Sequence, residues 1–90
     1  MAATEVMEFK LAPNPAGDVV TLNLGALPED QEVTLEIYNS LGQLLLQKEF
    51  GMVSQLQEQI DLSGFSNGLY IARVRVGGLR LEQNLVISRD

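Results

Sequence analysis

The chain has 90 residues, with 12 Asp+Glu against 6 Lys+Arg for a formal net charge of −6, and it contains no His, Cys or Trp. That length allows one domain, and an apolar share of 46% is that of a globular protein rather than a disordered tail. The missing residue types exclude disulfides, zinc–thiolate sites, thiol nucleophiles and imidazole bases, and the acidic balance speaks against a nucleic-acid surface, which needs basic charge.

Apolar residues alternate with period two in one segment after another, which is the pattern of half-buried strands. The first expected strand covers 6–11 and ends at Pro13-Asn14-Pro15, because proline offers no ladder donor and forces the preceding residue to be extended. Residues 18–24 place Val20, Leu22 and Leu24 on one face. Pro28-Glu29-Asp30 then turns the chain. Residues 32–38 set Val33, Leu35 and Ile37 inward, with Thr34, Glu36 and Tyr38 outward. Asn39-Ser40-Leu41-Gly42 is a tight connection, closed by Asn at its first position and by the positive φ open to Gly42. Strands are expected at 43–50 and 54–60. The loop at 61–68 has room for one short helical turn, and strands at 69–76 and 79–88 follow.

Gly77-Gly78 between the last two strands is a two-residue hairpin loop, and it dictates the register. Val76 faces Leu79, Val74 faces Leu81, Ala72 faces Gln83 and Tyr70 faces Leu85, on the face that points inward. Arg75 lies opposite Arg80 and Arg73 opposite Glu82 on the outer face. Leu69, Ile71 and Val86 share that outer face and need a cover, or they form an exposed patch of the kind that marks an interaction site. With about seven strands and no sustained helical period, the fold expected is all-β: a single immunoglobulin-like antiparallel sandwich, with a small barrel as the alternative.

No catalytic group stands out. A serine triad needs an imidazole, and a Ser–Lys pair would have to use Lys10 or Lys48, which lie in expected strands. The oxygen ligands Asn14, Asp18, Asp61 and Asn67 match no spaced calcium motif and read as turn residues that bond their own backbone. No enzyme activity, cofactor or metal is therefore expected. Asn67-Gly68-Leu69-Tyr70 carries the spacing of a tyrosine corner, in which a tyrosine entering a late strand bonds backbone upstream. Arg73, Arg75 and Arg80 gather on one hairpin face as a candidate docking patch for an acidic partner. The juxtaposed Arg75 and Arg80 need acids nearby, for which Glu82 and Glu36 are in reach.

The order of the motifs carries a resemblance. Leu11-Ala12-Pro13-Asn14-Pro15-Ala16-Gly17-Asp18-Val19-Val20-Thr21-Leu22 comes first, and Ile37-Tyr38-Asn39-Ser40-Leu41-Gly42-Gln43 follows mid-chain. Ile60-Asp61-Leu62-Ser63 through Gly68-Leu69-Tyr70 and Leu85-Val86-Ile87-Ser88-Arg89 complete the set. From about Phe9 to Arg89 the chain resembles the type A C-terminal sorting domain of the type IX (Por) secretion system of Bacteroidetes. It departs from the family pattern at Ala12, often aromatic there, at Asn39, often Asp, and at Gln43, often basic.

The resemblance implies a non-catalytic secretion signal. A cargo preceding it reaches the periplasm through the Sec machinery, and an outer-membrane translocation apparatus recognises the domain. A sortase-like protease then removes it, and the cargo is anchored at the cell surface or released. The absence of a signal peptide near Met1 fits this, since that signal lies upstream in such precursors. In this reading residues 1–8 are linker and 9–90 the sorting domain. Pro13, Asn14, Pro15, Gly42, Gly68 and Tyr70 build the fold. Leu85, Val86, Ile87 and Arg89 form the surface that is read, on a last strand whose sheet edge offers free backbone groups. The same edge offers a route to a homodimer. The rival function is an accessory adhesion or carbohydrate-binding sandwich of immunoglobulin or fibronectin type. Of the five aromatics, only Tyr38 is expected to point outward, which leaves little platform for sugar stacking.

Overall fold

A computed structural model describes residues 8–89. The expected linker at 1–8 lies, apart from Glu8, outside the described residues, as does Asp90. Seven strands follow one another: β1 (Phe9–Ala12), β2 (Val19–Leu24), β3 (Gln31–Asn39), β4 (Leu44–Val53), β5 (Leu56–Asp61), β6 (Gly68–Val76) and β7 (Leu79–Ile87). They form two sheets, in order β1-β2-β5 and β4-β3-β6-β7, with every named pairing antiparallel. This is an all-β sandwich with immunoglobulin-type strand order, in which β4 has joined the sheet of β3, β6 and β7.

The alternation that predicted the strands is the alternation of burial. Val33, Leu35 and Ile37 are at most 1% exposed, as are Val20, Leu22 and Leu24 on the facing sheet. Each such side chain contributes roughly 1.5–3 kcal/mol by leaving water, and without disulfides this packing supports the fold. The β6–β7 register is the one dictated by the loop: Val76 with Leu79, Val74 with Leu81, Ala72 with Gln83, Tyr70 with Leu85. Gly77 adopts φ +58° at the first central position of that loop, as a type II′ turn requires.

Two local expectations change. The 61–68 loop holds no helical turn; it is closed by a Phe65 N–H to Leu62 C=O bond of 2.9 Å and by the Asp61 carboxylate, which accepts the Ser63 N–H at 2.9 Å. Strand β4 runs three residues beyond the expected end, with register shifts against β3 at Val33/Thr34 and Ile37/Tyr38. Such bulges bend an edge strand and blunt it against pairing. Among the described residues no helix is long and apolar enough to cross a membrane.

Candidate functional site at one end of the sandwich

All the segments that carry the resemblance meet at one end. Asn39, at the end of β3, pairs with Tyr70 at the start of β6, which pairs with Leu85 near the end of β7. Val19, opening β2, pairs with Asp61, closing β5. Ala16 forms a parallel bridge to Ile87, and the Leu62 N–H donates to Asp18 C=O at 2.7 Å.

The link between the first motif and the last is a side-chain amide acting as a peptide group. Asn14 Nδ2 donates to Asn84 C=O at 2.9 Å, and Asn14 Oδ1 accepts the Val86 N–H at 3.0 Å. Asn67 does the same one turn further along, donating to Arg89 C=O at 2.8 Å and accepting the Arg89 N–H at 3.0 Å. Only a carboxamide supplies donor and acceptor side by side. Backbone completes the first link: the Ala16 N–H donates to Val86 C=O at 2.8 Å, and the Ser88 N–H donates to Ala16 C=O at 2.9 Å. Residues 13–16 thus lie as a strap on β7. Ala16 is buried, while Pro13, Asn14 and Pro15 are exposed; both X–Pro bonds, Ala12–Pro13 and Asn14–Pro15, are cis.

Arg89 closes the same end. Its guanidinium donates to Asp18 Oδ1, Leu62 C=O and Phe65 C=O, each at 2.6 Å. Its planar fork suits several acceptors at once. Beside it Tyr70 Oη donates to Ser66 C=O at 2.6 Å, which is the tyrosine corner, and the ring meets Phe65 edge-on with centroids 5.4 Å apart. Gly42, at φ +85°, closes the β3–β4 hairpin, where Asn39 Oδ1 accepts the N–H groups of Leu41 and Gln43. Gly68 opens β6 at φ +156°. The Ser63 N–H holds the Asp61 carboxyl below its ordinary pKa, with the Ser63 side chain adding to the effect.

The structure places the four residues of the expected reading surface in different settings. Leu85 and Ile87 are 0% and 1% exposed, inside the core, so in the folded domain their side chains are out of a partner's reach. The hairpin register had already put Leu85 inward, and the period of a strand forces Ile87 to follow. Arg89 is committed to internal acceptors. Val86 alone of the four presents its side chain outward, half-buried. The β7 edge is not free either: the strap occupies it from Asn84 to Ser88.

The arginine patch is largely compensated. Glu36, on the outer face yet only 4% exposed, accepts from Tyr38 Oη at 2.9 Å, Arg75 Nε at 3.3 Å and Gln47 Nε2 at 3.3 Å, and lies 3.9 Å from an Arg73 guanidinium nitrogen. Arg73 also pairs with Glu82 at 2.7 Å and stacks 4.9 Å over the Tyr38 ring. The Glu82 hydrogen bond raises the Arg73 pKa; desolvation, followed by the bond to Glu36, raises that of Tyr38. The repulsion between Arg75 and Arg80 is relieved by Glu36, so of the three arginines in the patch only Arg80 has no ion pair among the described residues.

The apolar outer face is the larger free feature. The register aligns Leu44, Tyr38 and Ile71 across β4, β3 and β6, with Leu69 and Val86 in the next row. Leu44 and Leu69 are 47% and 49% exposed. The outer positions of the other sheet are mostly polar, Lys10, Thr21, Asn23, Gln57 and Gln59, with Val19 the large exposed apolar exception. Among the described residues no group of three His, Cys, Asp or Glu could hold a metal.

Sequence reading missed the roles of Asp18 and Asn67, which it took for turn residues. The pairing of two asparagines with one C-terminal strand has no signature in spacing, because it joins residues 22 and about 70 positions apart.

Comparison with known proteins places this end in context. One match among solved structures is the crystal structure of dimeric latent PorU from Porphyromonas gingivalis, with TM-score 0.76 and 22% identity over 99% of this chain. The chain spans only 10% of that protein's length, and the likeness is one of fold. No curated protein matches the chain. The profile of the secretion system C-terminal sorting domain matches residues 10–88, which takes in the strap, the Asn39 turn, the tyrosine corner and all of β7. The chain therefore belongs to the C-terminal sorting domains of the type IX (Por) secretion system, and its function is that of a secretion signal.

Proposed function

We propose that this domain carries a preceding cargo across the outer membrane by presenting its motif end to the translocation apparatus, with no chemistry of its own. The observation that supports this reading is the convergence of every motif segment at the end of the sandwich where β7 finishes. Strand β1 runs toward that end and β7 finishes there, so a cargo ahead of β1 approaches from the opposite side and leaves the motif end clear. Among the groups first expected to be read, Leu85 and Ile87 hold β7 in the core and Arg89 locks its end. Contact with the apparatus then falls to the β7 edge and to Val86 with the neighbouring Leu44, Leu69 and Ile71.

The rest of the sequence of events follows from the family. The cargo arrives in the periplasm, the sorting domain is cut off by a sortase-like protease upstream of β1, and the cargo stays on the surface or is released. Neither Arg73 nor Arg75 is offered to a partner in this account, because Glu36 and Glu82 already satisfy them. A second copy of the chain is the other partner that a sheet edge suits.

A secretion assay tests the proposal. The chain is fused behind a Sec signal and a fluorescent reporter in a host with the type IX apparatus. Reporter at the surface or in the medium, lost when the apparatus is disabled, is the expected result. Reporter held in the periplasm while the domain is folded would overturn it and favour an adhesion module.

A further inference from the structure

The loop register makes odd-numbered residues of β7 exchange bonds with β6 and turns the N–H and C=O groups of even-numbered residues out along the free side of the sheet. The strap meets these groups in order. Asn14 takes Asn84 C=O and Val86 N–H, and Ala16 takes Val86 C=O and Ser88 N–H. These are the bonds a neighbouring strand would make, and the Ala16–Ile87 bridge gives the imitation a parallel direction. The strap is thus a stand-in strand, built from one side-chain amide and one backbone residue.

Its anchoring is slight. A single methyl, that of Ala16, enters the core, while Pro13, Asn14 and Pro15 face solvent. Strand β7, by contrast, is held independently. The burial of Leu85 and Ile87 in the core, the full pairing with β6, the Asn67 pair and the Arg89 bonds to Leu62 and Phe65 use none of the strap's hydrogen bonds. Lifting the strap would leave β7 in place with its edge bare. A fixed strand with an open edge accepts an extended polypeptide by backbone pairing, whatever that polypeptide's side chains.

We propose that the 13–16 strap is a displaceable occupant of the β7 edge, and that an extended segment of the secretion apparatus takes its place and its four hydrogen bonds on recognition. This rests on the sorting-signal reading above and adds to it the partner's chemistry and the step that uncovers the edge.

The chain contains no cysteine, so an introduced pair forms a unique disulfide. The variant A16C/I87C joins the strap to β7 at their bridge; the single variants A16C and I87C control for folding. A K10C/N23C pair between β1 and β2 controls for the passage of a disulfide. In the reporter assay, with a cysteine-free reporter, the expected result is export by wild type, A16C and the control, reduced export by I87C, whose thiol leaves part of a buried site empty, and retention of the locked variant. Export of the locked variant at the level of I87C or above overturns the strap inference and leaves the sorting reading standing. Retention of the wild type itself overturns the sorting reading. Loss of self-association alone in the locked variant, with normal export, assigns the edge to a second copy and also overturns the inference.

Hydrogen exchange on the full chain gives a second readout. Amides of Val86 and Ser88, which face the strap, are expected to exchange at least about tenfold faster than those of Leu85 and Ile87, through local opening. Asn14→Ala should speed Val86 further and leave Leu85 unchanged. A common rate for all four amides would show that the strap opens only with the whole domain, and would overturn the inference.

Discussion

The two ends of the sandwich are closed by different means. At the motif end, side chains bridge distant segments: Asn14 to β7, Asn67 to Arg89, and Arg89 to Asp18 and two loop carbonyls. At the other end the closing bonds are backbone to backbone. The Leu27 N–H donates to Ser54 C=O at 2.6 Å, and the Gly77 N–H donates to Glu32 C=O at 2.9 Å. Backbone groups are common to every residue, so the second end constrains its sequence little beyond the turn glycine and the buried Leu27. A carboxamide or a guanidinium cannot be replaced without losing the bond it makes. This fits the crowding of this chain's motif residues at one end, where most of them build the end rather than face outward.

The contrast can be broken by substitution. The largest effect is expected at Leu85→Ala or Ile87→Ala, which empty buried sites in β7 and should cost about 2–5 kcal/mol. Urea denaturation would read the loss, and export should fail because the strand detaches, not because a contact is missing. Next comes Arg89→Ala, which strands Leu62 C=O and Phe65 C=O along with Asp18. A loss of about 2–3 kcal/mol is expected, with Arg89→Lys recovering only part, since an ammonium cannot span three acceptors. Asn14→Ala should cost about 1–2 kcal/mol for its two bonds to β7. Ser54→Ala at the opposite end keeps the carbonyl that Leu27 uses, and its stability should match the wild type within about 0.5 kcal/mol. Equal losses at Asn14 and Ser54 would dissolve the distinction between the ends.

The smallest effect sharpens the comparison through pH. The folded Asp61 carboxyl titrates below its ordinary value because the Ser63 N–H bonds the ionised form. Its contribution is therefore complete above the unfolded pKa, near 4, and is lost as pH falls through the lower folded value. Denaturation midpoints followed from pH 6 down to pH 2 should show this acid-side decline in the wild type and a shallower one in Asp61→Asn.

Glu36 illustrates what alternation alone leaves out. Period two puts it on the outer face, and it is there, yet it is buried because Tyr38, Arg73, Arg75 and Gln47 close over it from three strands. Which long polar side chains fold back onto a neighbour depends on strand order, and strand order is not local information. Leu85 illustrates the converse. The Gly77–Gly78 loop made its inward direction legible from a few residues, and the structure buries it there.

The sequence alone establishes an all-β fold of about seven strands, the register of the last hairpin, a tyrosine corner at Tyr70 and the motif order of a sorting domain, with the sandwich favoured over a small barrel. The strands, the register and the tyrosine corner rest on short-range rules: the two-residue period of a strand, the φ demanded by a turn, the fixed reach of a tyrosine; the motif order rests on resemblance to a family. Only the tertiary structure decided that Asn14 and Ala16 would occupy the β7 edge, that Arg89 would turn inward, and that Glu36, an acid expected within reach of the arginines, would be buried beneath them. Those outcomes join segments far apart in the chain, and their geometry exists only once the two sheets have packed.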